Sequence, residues 1–334
     1  MWAATVPGLE TDRRSELMIE IYCKPDIEEI NITNFVKSVS NSGDSSLLSR
    51  KLSITLAHPI WDKNQPQVNL PLGSKIRMIL DGEEIFNGIL WIVESNSNEE
   101  LILTAYDFLI YLNKSKVTYN FTNIKPEDAV KKICSELGVE TGDIEQTGVA
   151  VSNLVQQQTA CEAILGLYDM VTLNGYLLTI TKTKINVIRK GQTITNYTLT
   201  INENGQGNNV ISNDYTSSLE DMINMVKIYD DKNNCIGVVE DEANKEKYGI
   251  LQENYTAETG KDSNIEATKM LKSIGNSCSV EALGNWQCKT GFVINTKIFY
   301  LDSMKNASFL IDGDTHTWDI GTNEYTMQLN LVTH

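Results

Sequence analysis

Three histidines occur among the 334 residues, His58, His316 and His334, and they bound the acid–base chemistry available. His316 closes the run Asp312-Gly-Asp-Thr-His316, which offers two carboxylates and an imidazole. A metal centre needs three or four ligands converging from locked positions. Asp and Gly in this order also suit a tight turn between strands, and Asp312 and Asp314 are read as such a turn. His58 precedes Pro59 at a strand end, and His334 is the last residue. A serine nucleophile would sit on a sharp turn of the form G-x-S-x-G, and no such run occurs. Acidic side chains are plentiful, but nothing singles out the pair that glycoside cleavage requires. Gly205-Gln-Gly207 lacks the third glycine and following helix of a dinucleotide site. No residue is therefore assigned a catalytic, cofactor-binding or metal-binding role, and no cofactor is expected.

The six cysteines, Cys23, Cys134, Cys161, Cys235, Cys278 and Cys288, form no C-x-x-C pair. Cys134 and Cys161 fall on expected apolar helix faces, so buried free thiols are the reading. The net charge of -16 repels phosphate backbones, which argues against specific nucleic-acid binding. No run approaches the roughly 18 apolar residues that span a bilayer, so stable membrane insertion is not expected. Met1 to Glu16 lacks a basic-then-apolar leader pattern. It reads as a loose arm on a chain made in the cytoplasm.

The elements that would position any site are mostly strands. Met18 to Tyr22, Phe35 to Ser40 and Lys51 to Ala57 are short apolar runs, the last alternating Leu52, Ile54 and Leu56. Lys75 to Leu80, Glu84 to Val93 and Leu101 to Tyr106 read as a meander, with Asp81-Gly82 supplying the positive φ of a hairpin turn. These strands could close a small barrel. Ile124 to Gly138 then reads as a helix, with Pro126 in its first turn and Gly138 as its C-terminal cap. A second helix is expected from Thr159 to Thr172. A hairpin follows, Tyr176 to Thr181 and Lys184 to Ile188.

Asn202 to Asn209 is a linker by composition. After it come a hairpin, Met225 to Tyr229 with Cys235 to Val239, and a third helix from Asn264 to Ile274. That helix would be capped by Ser263 with Glu266 and ended by Gly275. Strands Trp286 to Ile294, Ser308 to Ile311, His316 to Ile320 and Tyr325 to Val332 close the chain. Trp61, Trp91, Trp286 and Trp318 lie in or beside strands, which favours packing over a ligand-binding aromatic cluster.

The fold class is thus α+β, mainly β: two small antiparallel β-barrel domains with α/β insertions. The boundaries are an arm at 1–17, a first barrel at 18–112 and an α/β domain at 113–200. A second barrel takes 201–240 and 286–334, around a helical insertion at 241–285.

Several segments together resemble phage baseplate hub proteins. Leu72-Gly-Ser-Lys-Ile-Arg-Met-Ile-Leu-Asp-Gly-Glu-Glu-Ile-Phe86-Asn-Gly88-Ile-Leu is similar to their first barrel. It has the tight hairpin followed by a Phe-x-Gly strand. Leu101 to Tyr106, ending in Asp107 and Tyr111-Leu112, matches their next strand, and Lys125-Pro-Glu-Asp-Ala-Val matches the helix opening. Phe309-Leu-Ile-Asp-Gly-Asp-Thr-His-Thr-Trp318 and Tyr325-Thr-Met-Gln-Leu-Asn-Leu331 match the C-terminus. Tyr325 replaces a second histidine often found there. The type resembled is the hub of PBSX-like prophages and contractile bacteriocins, late-control-protein-D-like, over residues 18–334.

The resemblance implies a homotrimer forming a pseudo-sixfold ring between a sixfold tail tube and a threefold central spike. Its partners would be tube, spike and other baseplate proteins, including a LysM-type tail protein. The chain would then reside in a virion tail baseplate or an extracellular bacteriocin particle. A tail-borne cell-wall hydrolase and a carbohydrate- or receptor-binding module are the rival readings.

Overall fold

The computed structural model describes residues 18–46, 48–59, 70–258 and 262–333. The expected arm at 1–17, Trp61 and His334 lie outside them. The chain divides into two compact units. The first takes residues up to 192 with 284–291 and 314–327, and the second takes 193–283, 292–313 and the C-terminal residues from 328.

The first unit opens with strands β1 (Ile19–Lys24), β2 (Ile30–Asn31), β3 (Val36–Asp44), β4 (Lys51–Ala57), β5 (Lys75–Leu80), β6 (Glu83–Asn96) and β7 (Glu100–Asp107). They form a large antiparallel sheet in the order β3-β4-β7-β6-β5-β1-β2. Alternation drives the pairing: Leu52, Ile54 and Leu56 of β4 are buried, as are Ile76, Met78 and Leu80 of β5. With Ile21, Leu103 and Trp318 they make one core. Asp81 (φ 51°) and Gly82 (φ 84°) make the hairpin turn read from the sequence. Gly88 of the Phe-x-Gly motif has a packing reason, since a Cβ there would lie 2.2 Å from the Tyr106 carbonyl oxygen.

The rest of this unit comprises α1 (Leu109–Lys114), β8 (Lys116–Ile124), α2 (Pro126–Glu136), β9 (Thr141–Ile144), β10 (Val151–Thr159), α3 (Ala160–Asp169), β11 (Tyr176–Thr181) and β12 (Lys184–Arg189). β8 pairs with β10, and β11-β12-β9 forms a small sheet. The helices cover an apolar core that includes Val130, Ile133, Ile164, Leu167, Tyr168 and Val187. The helix expected from Ile124 starts later because Ile124 completes β8; Gly138 (φ 67°) does take the capping position. Thr159 caps α3 through a reciprocal bond pattern with Glu162 that the sequence reading passed over.

The second unit contains β13 (Gln192–Ile201), β14 (Val210–Ser218), β15 (Met225–Tyr229), β16 (Cys235–Glu240), α4 (Glu242–Tyr248), β17 (Gln252–Thr256), α5 (Ser263–Met270), β18 (Gly275–Leu283) and β19 (Phe292–Ile298). From residue 193 the strands run β14-β18-β21-β20-β19-β13, with β20 (Ala307–Asp319) and β21 (Glu324–Thr333). Residues 314–319 of β20 and 324–327 of β21 belong to the first unit. A separate three-stranded sheet, β16-β15-β17, packs Val226 and Ile228 on Ala267 of α5.

Four expectations are corrected. The ladders are open: among the described residues no pair closes either sheet into a barrel. Closure requires the first and last strands to bond, whereas β1 ends its sheet against the two-residue β2. Asp262, one residue earlier than expected, caps α5, which stops at Met270, and Gly275 opens β18 instead of ending the helix. The expected strand at Trp286 starts only at Phe292. Finally, Asp312 to Asp314 is no turn. The two strands expected at Ser308 to Ile311 and His316 to Ile320 are one continuous strand, β20, which ends at Asp319.

Candidate functional site

In the first unit, β20 carries a buried polar site. Along the strand Asp314, His316 and Trp318 alternate, and all three are buried. Two of these inward positions are polar, so each must find partners or destabilise the fold. The partner of Asp314 is Arg50, immediately before β4. Nη1 donates to Oδ1 at 3.0 Å and Nη2 donates to Oδ2. Thr290, in the loop before β19, gives Oδ1 two more bonds, from its amide and its hydroxyl, both at 2.7 Å. Burial pushes the Asp314 carboxyl upward, but the Arg50 charge and the hydrogen bonds from His316 and Arg50 hold it well below the usual carboxylate range.

Arg50 ties together more than this pair. Its Nε donates to Asn41 Oδ1 at 2.9 Å, and its amide donates to Asp107 Oδ2 at 3.0 Å. Asp107 also accepts from the Ser49 hydroxyl (2.9 Å) and the Leu109 amide (3.1 Å). Burial raises the Asp107 carboxyl to about 6 against those bonds. Thus the two segments that carried the family resemblance, around Asp107 and His316, meet at Arg50. The guanidinium lies 5.2 Å from the Trp286 ring centre. It also explains Gly43, where a Cβ would sit 2.4 Å from Arg50 Nη1.

His316 is fully buried. Nε2 lies 3.0 Å from the Cys288 carbonyl oxygen, which can only accept, so Nε2 carries the proton. Nδ1 then accepts from the Tyr325 hydroxyl at 2.9 Å. Burial holds the imidazole below its ordinary value, despite Asp314 beside it. Tyr325 supplies the donor to Nδ1 of the neutral ring. The Tyr325 ring also stacks on Trp318 at 4.6 Å. Lys289, whose amine is pulled down to about 8 by burial and by Arg50, sits 4.2 Å from the Trp286 ring centre.

Chemically this arrangement fastens strands. The carboxylate is saturated by donors, and both imidazole nitrogens are occupied by fixed partners. Buried charge networks of this kind specify one arrangement of the elements that carry them. His58 lies elsewhere, at the end of β4, its amide bonded to the Glu99 carbonyl. Gly205 (φ 72°) and Gly207 (φ 70°) are turn residues in the loop joining β13 and β14. Among the described residues no group of three or more His, Cys, Asp or Glu could hold a metal ion. Five cysteines are buried free thiols, and Cys235 is exposed on β16. Asn41, Arg50 and Thr290 were missed in the sequence. The available clue was the alternation Asp314, His316, Trp318, with a tryptophan on the same face as the charge.

The fold is one that solved phage tail proteins share. The chain is similar to the 43 kDa tail protein of prophage MuSo2 from Shewanella oneidensis, with a TM-score of 0.73 and 14% identity over 95% of this chain and 97% of that one. It is similar also to a tail protein from Neisseria meningitidis MC58, with a TM-score of 0.69 and 13% identity over 94% and 96%. The YqbQ-like family profile matches residues 39–332, and the chain belongs to that family. Two relatives come from Bacillus subtilis strain 168. One is YqbQ, an uncharacterized protein, at 25% identity over 94% of this chain and 97% of the relative. The other is XkdQ of the phage-like element PBSX, at 24% identity over the same shares. The resemblance read from the sequence therefore holds.

Proposed function

We propose that the chain is the structural hub of a contractile tail baseplate, in a phage or a phage-tail-like bacteriocin. The observation supporting this is that both the family match and the tail-protein fold run through nearly the whole chain. Three copies form a ring in which each subunit offers two strand-rich blocks, giving pseudo-sixfold symmetry toward the tube and threefold symmetry toward the spike. Contacts that are not self-complementary close into such rings under rotation. Partners are the tube, the central spike and neighbouring baseplate proteins, including one of LysM type.

Three copies carry 3 × -16 = -48 charges. A ring of this charge must mate with basic partners or rely on salt screening. The subunit contacts are therefore apolar and use strand edges, with excess acid on the lumen or outer wall. Native mass measurement of the chain with tube and spike proteins tests this reading. A threefold assembly is expected. A chain that stays monomeric with both partners present, or one that clears a purified cell-wall suspension, overturns it.

A further inference from the structure

The first unit carries a knob and a hole of matching chemistry. The knob is Ile27, in the bend between β1 and β2. It is 81% exposed, between the exposed Asp26 and Glu28. The bend is held from behind: Arg77 Nε and Nη2 take both carboxylate oxygens of Glu29 at 2.8 and 2.7 Å, while Nη1 reaches Glu84. A large aliphatic side chain is thus presented on a fixed support, ringed by acid.

The hole is a cleft of about 460 Å³ whose lining includes Phe108, Tyr111, Val139, Ser115, Glu140 and Thr183. This volume exceeds that of one aliphatic side chain and falls in the range of formed binding clefts. Tyr111 is 40% exposed and extends an aromatic row: Trp91 lies 6.2 Å from it, and Tyr106 lies 6.5 Å from Trp91. Exposed Trp and Tyr beside a cleft are the composition of interface anchors. Exposed lysines flank two of the lining residues, Lys114 and Lys116 about Ser115, and Lys182 and Lys184 about Thr183. Glu140 is the acid among the named lining residues. Residues 109–192 hold 9 Lys/Arg and 8 Asp/Glu, a balance of +1 that leaves -17 for the rest of the -16 chain. The cleft thus sits in a stretch that does not repel the acidic remainder.

We propose that the Ile27 bend of one copy docks in the Tyr111 cleft of a second copy, Asp26 and Glu28 facing the lysines. The inference rests on the self-assembly reading above and names its surfaces. Knob and hole are different patches, so the contact is head-to-tail and propagates around a ring.

Sedimentation equilibrium of the full chain at low salt tests it, comparing wild type, Ile27→Glu, Lys182→Glu/Lys184→Glu, Asp26→Lys/Glu28→Lys and the combined charge swap. Ile27→Glu and each single-side swap are expected to raise the dissociation constant about tenfold or more. The combined swap is expected to restore association, with thermal unfolding unchanged throughout. If Ile27→Glu and the swaps associate like wild type, the docking surfaces are wrong while the trimer stands. If wild type stays monomeric even with tube and spike, both fall. If the variants lose only a contact to another baseplate protein, self-docking is overturned in favour of that partner.

Discussion

The first unit is held by two cores of opposite character. Under α2 and α3 the core is an apolar cluster, in which the Tyr168 hydroxyl donates to the Glu145 carbonyl at 2.8 Å, with Glu127 buried at its edge on the Thr147 hydroxyl and the Gly148 amide. There burial pushes the Cys134 thiol up to about 11, so it stays protonated and inert. At Arg50 the neighbouring core instead encloses a guanidinium, two carboxylates and an imidazole. The apolar core tolerates small shifts, because dispersion and water exclusion are non-directional. The polar one does not, because removing any member leaves another buried without its partner. Stability is general in the first and tied to one geometry in the second.

That contrast can be broken most forcefully at Asp314. Asp314→Ala leaves Arg50 largely buried and uncompensated, and urea denaturation should show a loss of about 3–5 kcal/mol. Ile164→Ala in the apolar core should cost about 2–4 kcal/mol by cavity formation. Its pH profile should match wild type.

Acid titration separates the cores next. The folded pKa of His316 lies below the ordinary histidine value of about 6.5. Its neutral-state contribution is therefore complete above that value and lost as pH falls through the window beneath it. Asp107 acts with the opposite sign. Its folded pKa is raised to about 6, so its contribution is lost as pH rises from about 4 through 6. Stability curves of wild type and His316→Gln should converge as pH drops below 6.5. Parallel curves would remove His316 from the acid response. The smallest effect is expected from Tyr325→Phe, which deletes the hydroxyl donor to Nδ1. It should cost about 1–2 kcal/mol and, by easing protonation of the folded imidazole, narrow the window below 6.5 in which acid destabilises the fold. An unchanged window would show that Tyr325 acts through its stack on Trp318 alone.

Where a side chain obeys one rule, the sequence could be read. Alternation placed Leu52, Ile54 and Leu56 in a strand, Asp81-Gly82 fell in a hairpin turn, and Gly138 capped α2. Where two rules compete, it could not. Asp312-Gly-Asp has the composition of a turn, yet strand pairing and Arg50 hold it extended within β20. Ser263 satisfies the capping pattern, but Asp262 accepts from the Asn264 and Ile265 amides and takes its place.

By itself, then, the sequence determined a β-rich chain and its resemblance to a family: periodicity, turn chemistry and the order of its motifs are local properties carried by neighbouring residues. The tertiary structure alone decided that the ladders stay open. It also decided that Arg50 and Asp314, 264 positions apart, form one buried pair. Those outcomes depend on which distant strands meet, and on a desolvation cost that exists only once they have.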